Sequence, residues 1–187
     1  SKEQCRRIAI NQPVLDEQDL SKLLSLNSPS FKSKVVDITF SSDHQEGSLE
    51  AALEQVFHHV EMAINDDCSI VILSDRKADI NNVPIPSLLA TSAVHHHLIR
   101  KGIRGSVDIV IESGDVKEVH HFATVLGYGA SAICPYLTLD TIRQMEKDDL
   151  LNGLTADKAI KNYIKALGGG LLKIFSKMGI STLASYQ

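Results

Sequence analysis

The chain has 187 residues, of which 43% are hydrophobic and 22% charged, with a formal net charge of −4. This length and composition suit a single domain over residues 1–187 that is large enough to build a core. Lysine and arginine are spread along the chain, which disfavours a nucleic-acid partner, and no apolar run approaches the ~20 residues of a membrane span. The polar first residues give no indication of a signal peptide, so we expect a cytoplasmic protein without a membrane partner.

Short apolar runs alternate with amphipathic stretches along the chain. The runs predict strands at residues 35–40, 69–74, 107–111 and 130–134. Helical spacing of apolar residues predicts helices at residues 49–64, 87–101, 119–126, 138–147 and from about 155 onward. Residues 180–186 are predicted to be a fifth strand or its approach.

Three local features predict where helices begin and end. Ser48 is placed to cap the first helix, and Asp115 with Glu118 resembles a capping box for the third. The glycines at 168–170 predict an interruption of the last helix, because each helical glycine costs about 1 kcal/mol relative to alanine.

Strands that alternate with helices at this spacing favour parallel pairing through right-handed crossovers. We therefore predict an α/β fold with four or five parallel strands alternating with helices, either as an open parallel sheet or as a partial βα barrel. A complete barrel needs eight such units, which this sequence does not supply. No glycine-rich turn of the dinucleotide or nucleotide-phosphate type follows a predicted strand.

The conspicuous histidines, at 95–97 and 120–121, do not have the spacing of a metal site. Consecutive helical residues point about 100° apart, so three in a row do not face one ion. The three cysteines, Cys5, Cys68 and Cys134, are too far apart in sequence for a zinc or iron–sulfur motif and are interpreted as reduced thiols. We therefore predict no metal ligands, although a site with one histidine from each helix stays open.

Polar residues follow two predicted strands at the edge where α/β proteins place functional groups. Asp75 and Arg76 come after the second strand, and Glu112 and Ser113 after the third. They are candidates for contact with a substrate or a partner domain; Glu112 is suited to binding an ammonium group or acting as a base. The alternative for Glu112 and Ser113 is helix capping and loop closure, and for Asp75 and Arg76 an internal ion pair.

A second polar set lies near the end of the chain. It combines two lysines, a glycine and hydroxyl groups before the last predicted strand, which suits phosphate or carboxylate binding. Its candidate cofactor-binding residues are Lys173, Ser176, Lys177, Ser181 and Thr182. A solvated helix end explains the two lysines equally well.

The segment PIPSLLATSAVHHHL, residues 84–98, is highly distinctive, and further motifs follow it in order to the end of the chain. They include ESG at 112–114, LGYGA at 126–130, PYL at 135–137 and SKMGIST at 176–182. Over roughly residues 70–187 the sequence resembles the central region of the large subunit of glutamate synthase.

This resemblance implies an enzyme that makes L-glutamate from L-glutamine and 2-oxoglutarate. The family has an N-terminal amidotransferase (glutaminase) domain, the central α/β domain, and an FMN-binding βα barrel that also carries an iron–sulfur cluster. The partners implied are therefore the amidotransferase and FMN-binding domains of the same polypeptide, with residues from about 168 to 187 leading toward the FMN domain. Contact of the C-terminal polar set with FMN or 2-oxoglutarate follows from that order.

The leading hypothesis is that the chain is a fragment of this central domain. It would link the glutaminase and FMN domains and help to enclose the route that ammonia takes between them. It would carry no catalytic residue and no cofactor of its own, and it would be inactive alone. The alternative is a free-standing α/β docking module without catalysis, and a metal hydrolase is a third and weaker possibility. Apolar surface normally covered by sister domains would favour self-association of the fragment.

Overall fold

The computed structural model describes residues 13–25, 27–28, 31–43 and 45–178, with the backbone alone at 27–28. The predicted fifth strand at 180–186 lies outside the described residues. Within them the strands are β1 (Asn27–Ser28), β2 (Phe31–Asp37), β3 (Thr39–Ser41), β4 (Ile70–Ser74), β5 (Asn82–Pro84), β6 (Asp108–Glu112) and β7 (Ala132–Cys134). The helices are α1 (Glu17–Ser25), α2 (Ser48–Asn65), α3 (Ser87–Arg100), α4 (Val119–Gly127), α5 (Tyr136–Lys147) and α6 (Ala156–Lys177).

The main sheet has the order β1-β2-β4-β6-β7, in which β2, β4, β6 and β7 are parallel and β1 is antiparallel to β2. The predicted α/β fold with four parallel strands is therefore confirmed. The two central strands are buried on both faces, which explains their continuous apolar sequences.

The order of the parallel strands in space is their order in the chain. Residues of α2, α3 and α4 pack on one face of the sheet, with Val71 and Leu73 of β4. Helices α1 and α5 cover the other face, with Ile70 and Ile72. Successive crossovers on one face are the arrangement of a βα-barrel segment, and not of a doubly wound sheet. The face with Ile70 and Ile72 corresponds to the inside of a barrel and is called the inner face. In this domain helices α1 and α5 cover it.

The first predicted strand, at 35–40, is divided in the structure. The Asp37 Oδ1 atom accepts hydrogen bonds from the Thr39 backbone N–H at 2.9 Å and from its hydroxyl at 2.8 Å. This local turn ends β2, and β3 then pairs with β5 in a separate antiparallel ribbon. Expecting one strand was wrong because the turn is made by side-chain chemistry that the apolar pattern does not show.

Two predicted caps differ in the structure. Ser48 is the first residue of α2, and the N-cap is Gly47, whose φ of +82° suits a residue without a Cβ atom. Asp115 does not cap α4; its carboxylate accepts the backbone N–H of Ser87 at 3.1 Å and so caps the preceding helix, α3.

The predicted interruption of the last helix is also wrong. Helix α6 is continuous from Ala156 to Lys177, and the Thr155 side chain caps its N-terminus by accepting the Lys158 N–H. A Cβ atom at Gly170 would lie 2.8 Å from Val119 Cγ2, at the first residue of α4. Gly170 thus lets α6 pack closely against α4, and that packing offsets its low helix propensity. Among the described helices, none has the length and apolarity that crossing a bilayer requires.

Alanine substitutions at two neighbouring glycines of α6 test this interpretation. Gly169 is exposed and a Cβ atom there meets nothing within 4 Å, so Gly169→Ala should stabilise the domain by about 0.5–1 kcal/mol through helix propensity alone. Gly170→Ala gains the same propensity but must displace Val119, and we expect it to be about 1 kcal/mol or more less stable than Gly169→Ala. Urea unfolding midpoints of the two variants give the comparison. Equal midpoints would contradict a packing role for Gly170.

Candidate functional site at the strand ends

The residues predicted at the strand ends do come together. Strands β4 and β6 are neighbours, and Ser74 pairs in register with Glu112, so both strands end at the same level. Asp75 and Arg76 follow β4 directly, and Ser113 follows β6. All four candidate positions therefore lie at one edge of the sheet, as the sequence predicted.

Glu112 is the centre of this site. Its side chain is 10% exposed, and both of its oxygens are engaged. The Ser74 hydroxyl donates to Oε1 at 2.5 Å, and the Arg76 Nε–H donates to Oε2 at 3.0 Å. Because both oxygens bind neighbouring donors and the side chain is nearly buried, the geometry favours a structural role for this carboxylate over that of a base.

Arg76 is the most accessible of the four candidates, with 44% of its side chain exposed. Burial lowers the pKa of Arg76, but the hydrogen bond and charge of Glu112 outweigh that effect, so its pKa is raised overall. The guanidinium lies 4.5 Å from the centre of the Tyr136 ring, and its Nη2 atom is 3.6 Å from Glu17 Oε2. Arg76 thus joins the end of β4 to helices α1 and α5.

Asp75 is 2% exposed and is held by a second set of donors. The Tyr136 hydroxyl donates to its Oδ1 atom at 2.7 Å, and the Gly114 N–H lies 2.9 and 3.0 Å from its two oxygens. Burial raises the pKa of Asp75 and the charges of Asp115 and Glu112 add to that effect, while the hydrogen bonds from Tyr136 and Gly114 oppose it; the net shift is upward. Burial and the bond to Asp75 raise the pKa of the Tyr136 hydroxyl as well.

Ser113 is the residue for which helix capping and loop closure are observed. Its hydroxyl donates to Asp115 Oδ1 at 2.5 Å and accepts from the Ser87 hydroxyl at 2.8 Å. It also accepts the backbone N–H groups of Asp115 and Val116. Burial raises the pKa of Asp115, but the hydrogen bonds from Ser113 and Ser87 outweigh it and lower the pKa overall. This cluster fixes the start of α3 against the loop after β6.

The sequence patterns did not single out four members of the site, which are Tyr136, Glu17, Arg143 and Asp140. Tyr136 was the residue with a usable signal, since it follows the fourth strand directly and lies in a distinctive motif. Glu17 and Arg143 form an ion pair at 2.8 Å across 126 positions of sequence, and Asp140 lies 2.9 Å from the same arginine. No local pattern predicts a contact of that separation.

The C-terminal polar set is described in part. Lys173, Ser176 and Lys177 lie in the last two turns of α6 and are exposed, on the side away from the buried Leu171 and Phe175. Ser181 and Thr182 lie outside the described residues. The three described side chains do not by themselves enclose a ligand, and the contact of this set with FMN stays a prediction.

The clustered histidines have separate partners. The Arg104 Nε–H donates to His95 Nδ1 at 2.8 Å, and burial together with the Arg104 charge lowers the pKa of His95. His97 stacks on Phe57 at 4.2 Å and lies 3.0 Å from Glu61, whose pKa the hydrogen bond from His97 lowers. Within the described residues, no group of three or more His, Cys, Asp or Glu side chains is arranged to hold a metal ion. The described cysteines, Cys68 and Cys134, are free thiols and are buried.

Replacing the central carboxylate tests its structural role. Glu112→Gln removes the charge facing Arg76 while preserving the side-chain shape, and we expect a loss of about 1–3 kcal/mol in the free energy of unfolding. The control is Asp140→Asn, whose side chain is 49% exposed in its ion pair with Arg143 and which should cost less than about 1 kcal/mol. Denaturant unfolding measures both variants. An equal effect of the two substitutions would contradict a special role for Glu112.

The raised pKa of Asp75 predicts a pH dependence with a definite sign. The folded state holds this proton more tightly than the unfolded state, where the ordinary value is 3.8. Asp75 therefore contributes stability below that value and loses it as the pH rises through the folded pKa. The quantity to measure at each pH is the free energy of unfolding of Asp75→Asn minus that of the wild type. This difference should increase as the pH rises above 3.8. A difference that stays constant or falls over this range would contradict the shift.

Residues 1–187 match the family model of the glutamate synthase central domain. The chain is 44% identical to the glutamate synthase [NADPH] large chain of Bacillus subtilis, with all of this chain and 12% of that protein covered. It is 40% identical to the glutamate synthase [NADH] of Schizosaccharomyces pombe (98% of this chain, 9% of that protein). It is 39% identical to the chloroplastic ferredoxin-dependent glutamate synthase of Oryza sativa subsp. japonica (98% and 12%).

Among solved structures, the L230A mutant of flavocytochrome b2 with benzoylformate is similar, with a TM-score of 0.59 at 12% identity over 91% of this chain and 36% of that one. This likeness shows the fold alone. The chain spans about a tenth of the length of the curated relatives it matches. The family model and the relatives confirm the resemblance found in the sequence motifs: the chain belongs to the glutamate synthase central domain family.

Proposed function

We propose that this domain works within a glutamate synthase, which forms L-glutamate from L-glutamine and 2-oxoglutarate, and that it joins the glutaminase to the FMN domain and helps wall the ammonia route. The observation that carries the proposal is the family match over residues 1–187. The relatives bear the name glutamate synthase, and this chain corresponds to 9–12% of their length. The rest of such a polypeptide supplies the other domains.

The geometry supports a structural role for the strand-end site within that enzyme. The buried carboxylates of Glu112 and Asp75 have hydrogen-bond donors on both oxygens, and Ser113 is committed to the cap of α3. These groups bind one another, which supports a structural role over acid, base or nucleophilic chemistry. Arg76 is the exposed part of the network and is the side chain that we assign to contact with a sister domain.

The relatives are also named for different electron donors. Proteins named for NADH, NADPH and ferredoxin are 40%, 44% and 39% identical to this chain. Similar identity across three donors supports a domain that does not select the donor. We place FMN, which would supply the reducing equivalents for glutamate formation, and the iron–sulfur cluster in the neighbouring domains, with the C-terminal polar set as the part of this domain that would contact FMN. A cytoplasmic location is part of the same proposal.

Substitution of Arg76 in a full-length synthase that carries this domain tests the proposal. Arg76→Ala should lower glutamine-dependent glutamate formation about threefold to thirtyfold, the usual range for a residue that couples two sites. Glutamine hydrolysis by the glutaminase, and glutamate formation from added ammonium, should change less than about twofold, because no reacting group is removed. The matched control is Lys147→Ala, an exposed side chain at the last residue of α5.

Two results would overturn the proposal. One is an equal loss of all three activities in an Arg76→Ala enzyme that circular dichroism shows to be folded at the assay temperature, with no loss in Lys147→Ala, which would place Arg76 in the chemistry itself. The other is glutamate formation by the isolated 187-residue chain supplied with L-glutamine, 2-oxoglutarate, FMN and a reductant. We expect no glutamate above the level of the protein-free control.

A further inference from the structure

The outer edge of β2 is open over most of its length. Strand β1 pairs with β2 at Phe31 and Lys32 alone, whereas β4 pairs along its other edge from Ser33 to Asp37. The five residues from 33 to 37, about 16 Å of strand at ~3.3 Å per residue, therefore have one strand neighbour within the described part of the chain.

The backbone N–H and C=O groups of even- and odd-numbered residues in β2 point to opposite edges of the strand. The Lys32 carbonyl accepts the N–H of Ser69, and the Ile38 N–H donates to the Ser74 carbonyl, each at 2.9 Å and each toward β4. Backbone groups alternate between the two edges of a strand, so the even-numbered residues face β4 and Val35 faces outward. Within the described residues, the Val35 N–H and C=O have no strand to pair with.

A groove of about 930 Å³ runs beside this edge. It is lined by residues 34–37 of β2, by residues between 59 and 66 in and just after the last turns of α2, and by Ser74 and Lys77. Two apolar side chains are exposed along it: Val35 at 42% and Met62 at 54%. They lie on opposite faces of the sheet, because Val35 alternates with Val36, which packs toward α2.

An open, partly apolar strand edge is a template for pairing with another segment. A strand added beside Val35 would meet one exposed apolar side chain on each face, Val35 on one and Met62 on the other. Charged residues, among them Lys34, Asp66 and Lys77, line the same groove. The edge thus fits an extended segment that carries both apolar and polar residues, which main-chain hydrogen bonds would hold in place.

We propose that an extended segment of the same synthase polypeptide, from outside residues 1–187, adds to the outer edge of β2 as a further strand of the sheet. This rests on the proposed function in taking the occupant from the same polypeptide. Two observations favour that source: the parallel strands follow the barrel order, which continues at its edges by adding strands, and the relatives are roughly ten times longer than this chain.

Hydrogen–deuterium exchange of a full-length synthase carrying this domain tests the proposal without any substitution. The Val35 amide should exchange about 100-fold or more slowly than the amide of Ile80, whose side chain is 90% exposed. The Ile38 amide, bonded to Ser74, is the internal reference for a protected group. Exchange of Val35 within about threefold of Ile80 would overturn the proposal.

A photo-crosslinking amino acid placed at Val35 identifies the occupant. Crosslinks to residues of the same polypeptide outside 1–187 support the proposal, with the same label at Leu150, which is 61% exposed, as the control for nonspecific capture. Crosslinks to a second copy of the chain, or protection of Val35 that falls on twentyfold dilution, overturn it in favour of edge-to-edge self-association. Crosslinks confined to residues 1–12 overturn it in favour of pairing within this domain.

The same sample separates this proposal from the function on which it rests. An unprotected Val35 amide in a polypeptide that forms glutamate overturns the added strand alone. A protected amide in a polypeptide that forms no glutamate from L-glutamine and 2-oxoglutarate supports the added strand and overturns the proposed function.

Discussion

The carboxylate of Glu112 is nearly out of contact with water at the end of the central strand pair. An unpaired charge in that position costs several kcal/mol, so the structure must bring donors to both oxygens. The donors, Ser74 and Arg76, come from the neighbouring strand and the residue pair that follows it. The pairing of Ser74 with Glu112 therefore depends on the register of β4 against β6, and a slip of one residue would turn the carboxylate to the opposite face of the sheet.

The other polar groups at this edge of the sheet surround the pair of Ser74 and Glu112. Arg76 reaches from Glu112 to the ring of Tyr136 and toward Glu17, which ties the two helices of the inner face to the sheet. Asp75 is fixed by Tyr136 and by the backbone of Gly114. In a βα barrel with an active site, this edge carries the catalytic groups and the interior is filled by strand side chains. Here helices fill the inner face, and the polar groups at the edge bind one another.

Much of the fold follows from the sequence, because local patterns report local forces. Apolar runs predicted all four parallel strands, and helical spacing predicted five of the six described helices to within a few residues. Helix α1, Glu17–Ser25, was not predicted. The errors arose where one contact outweighed a propensity. The packing of Gly170 against Val119 keeps α6 continuous, and the turn made by the Asp37 side chain ends β2 early. The Asp115 carboxylate lies nearer in space to the start of α3 than to the helix that follows it in sequence.

The sequence by itself determined the α/β class, the family, and the placing of Asp75, Arg76, Glu112 and Ser113 at one sheet edge, since strand ends are local features and parallel strands align them. Only the tertiary structure decided what these groups do there. It paired Glu112 with Ser74 and Arg76, brought Tyr136 onto Asp75, and left the outer edge of β2 without a strand neighbour from Ser33 to Asp37 among the described residues. Each of these depends on strand order and register, which are set by the burial of whole faces and by contacts between residues far apart in the chain.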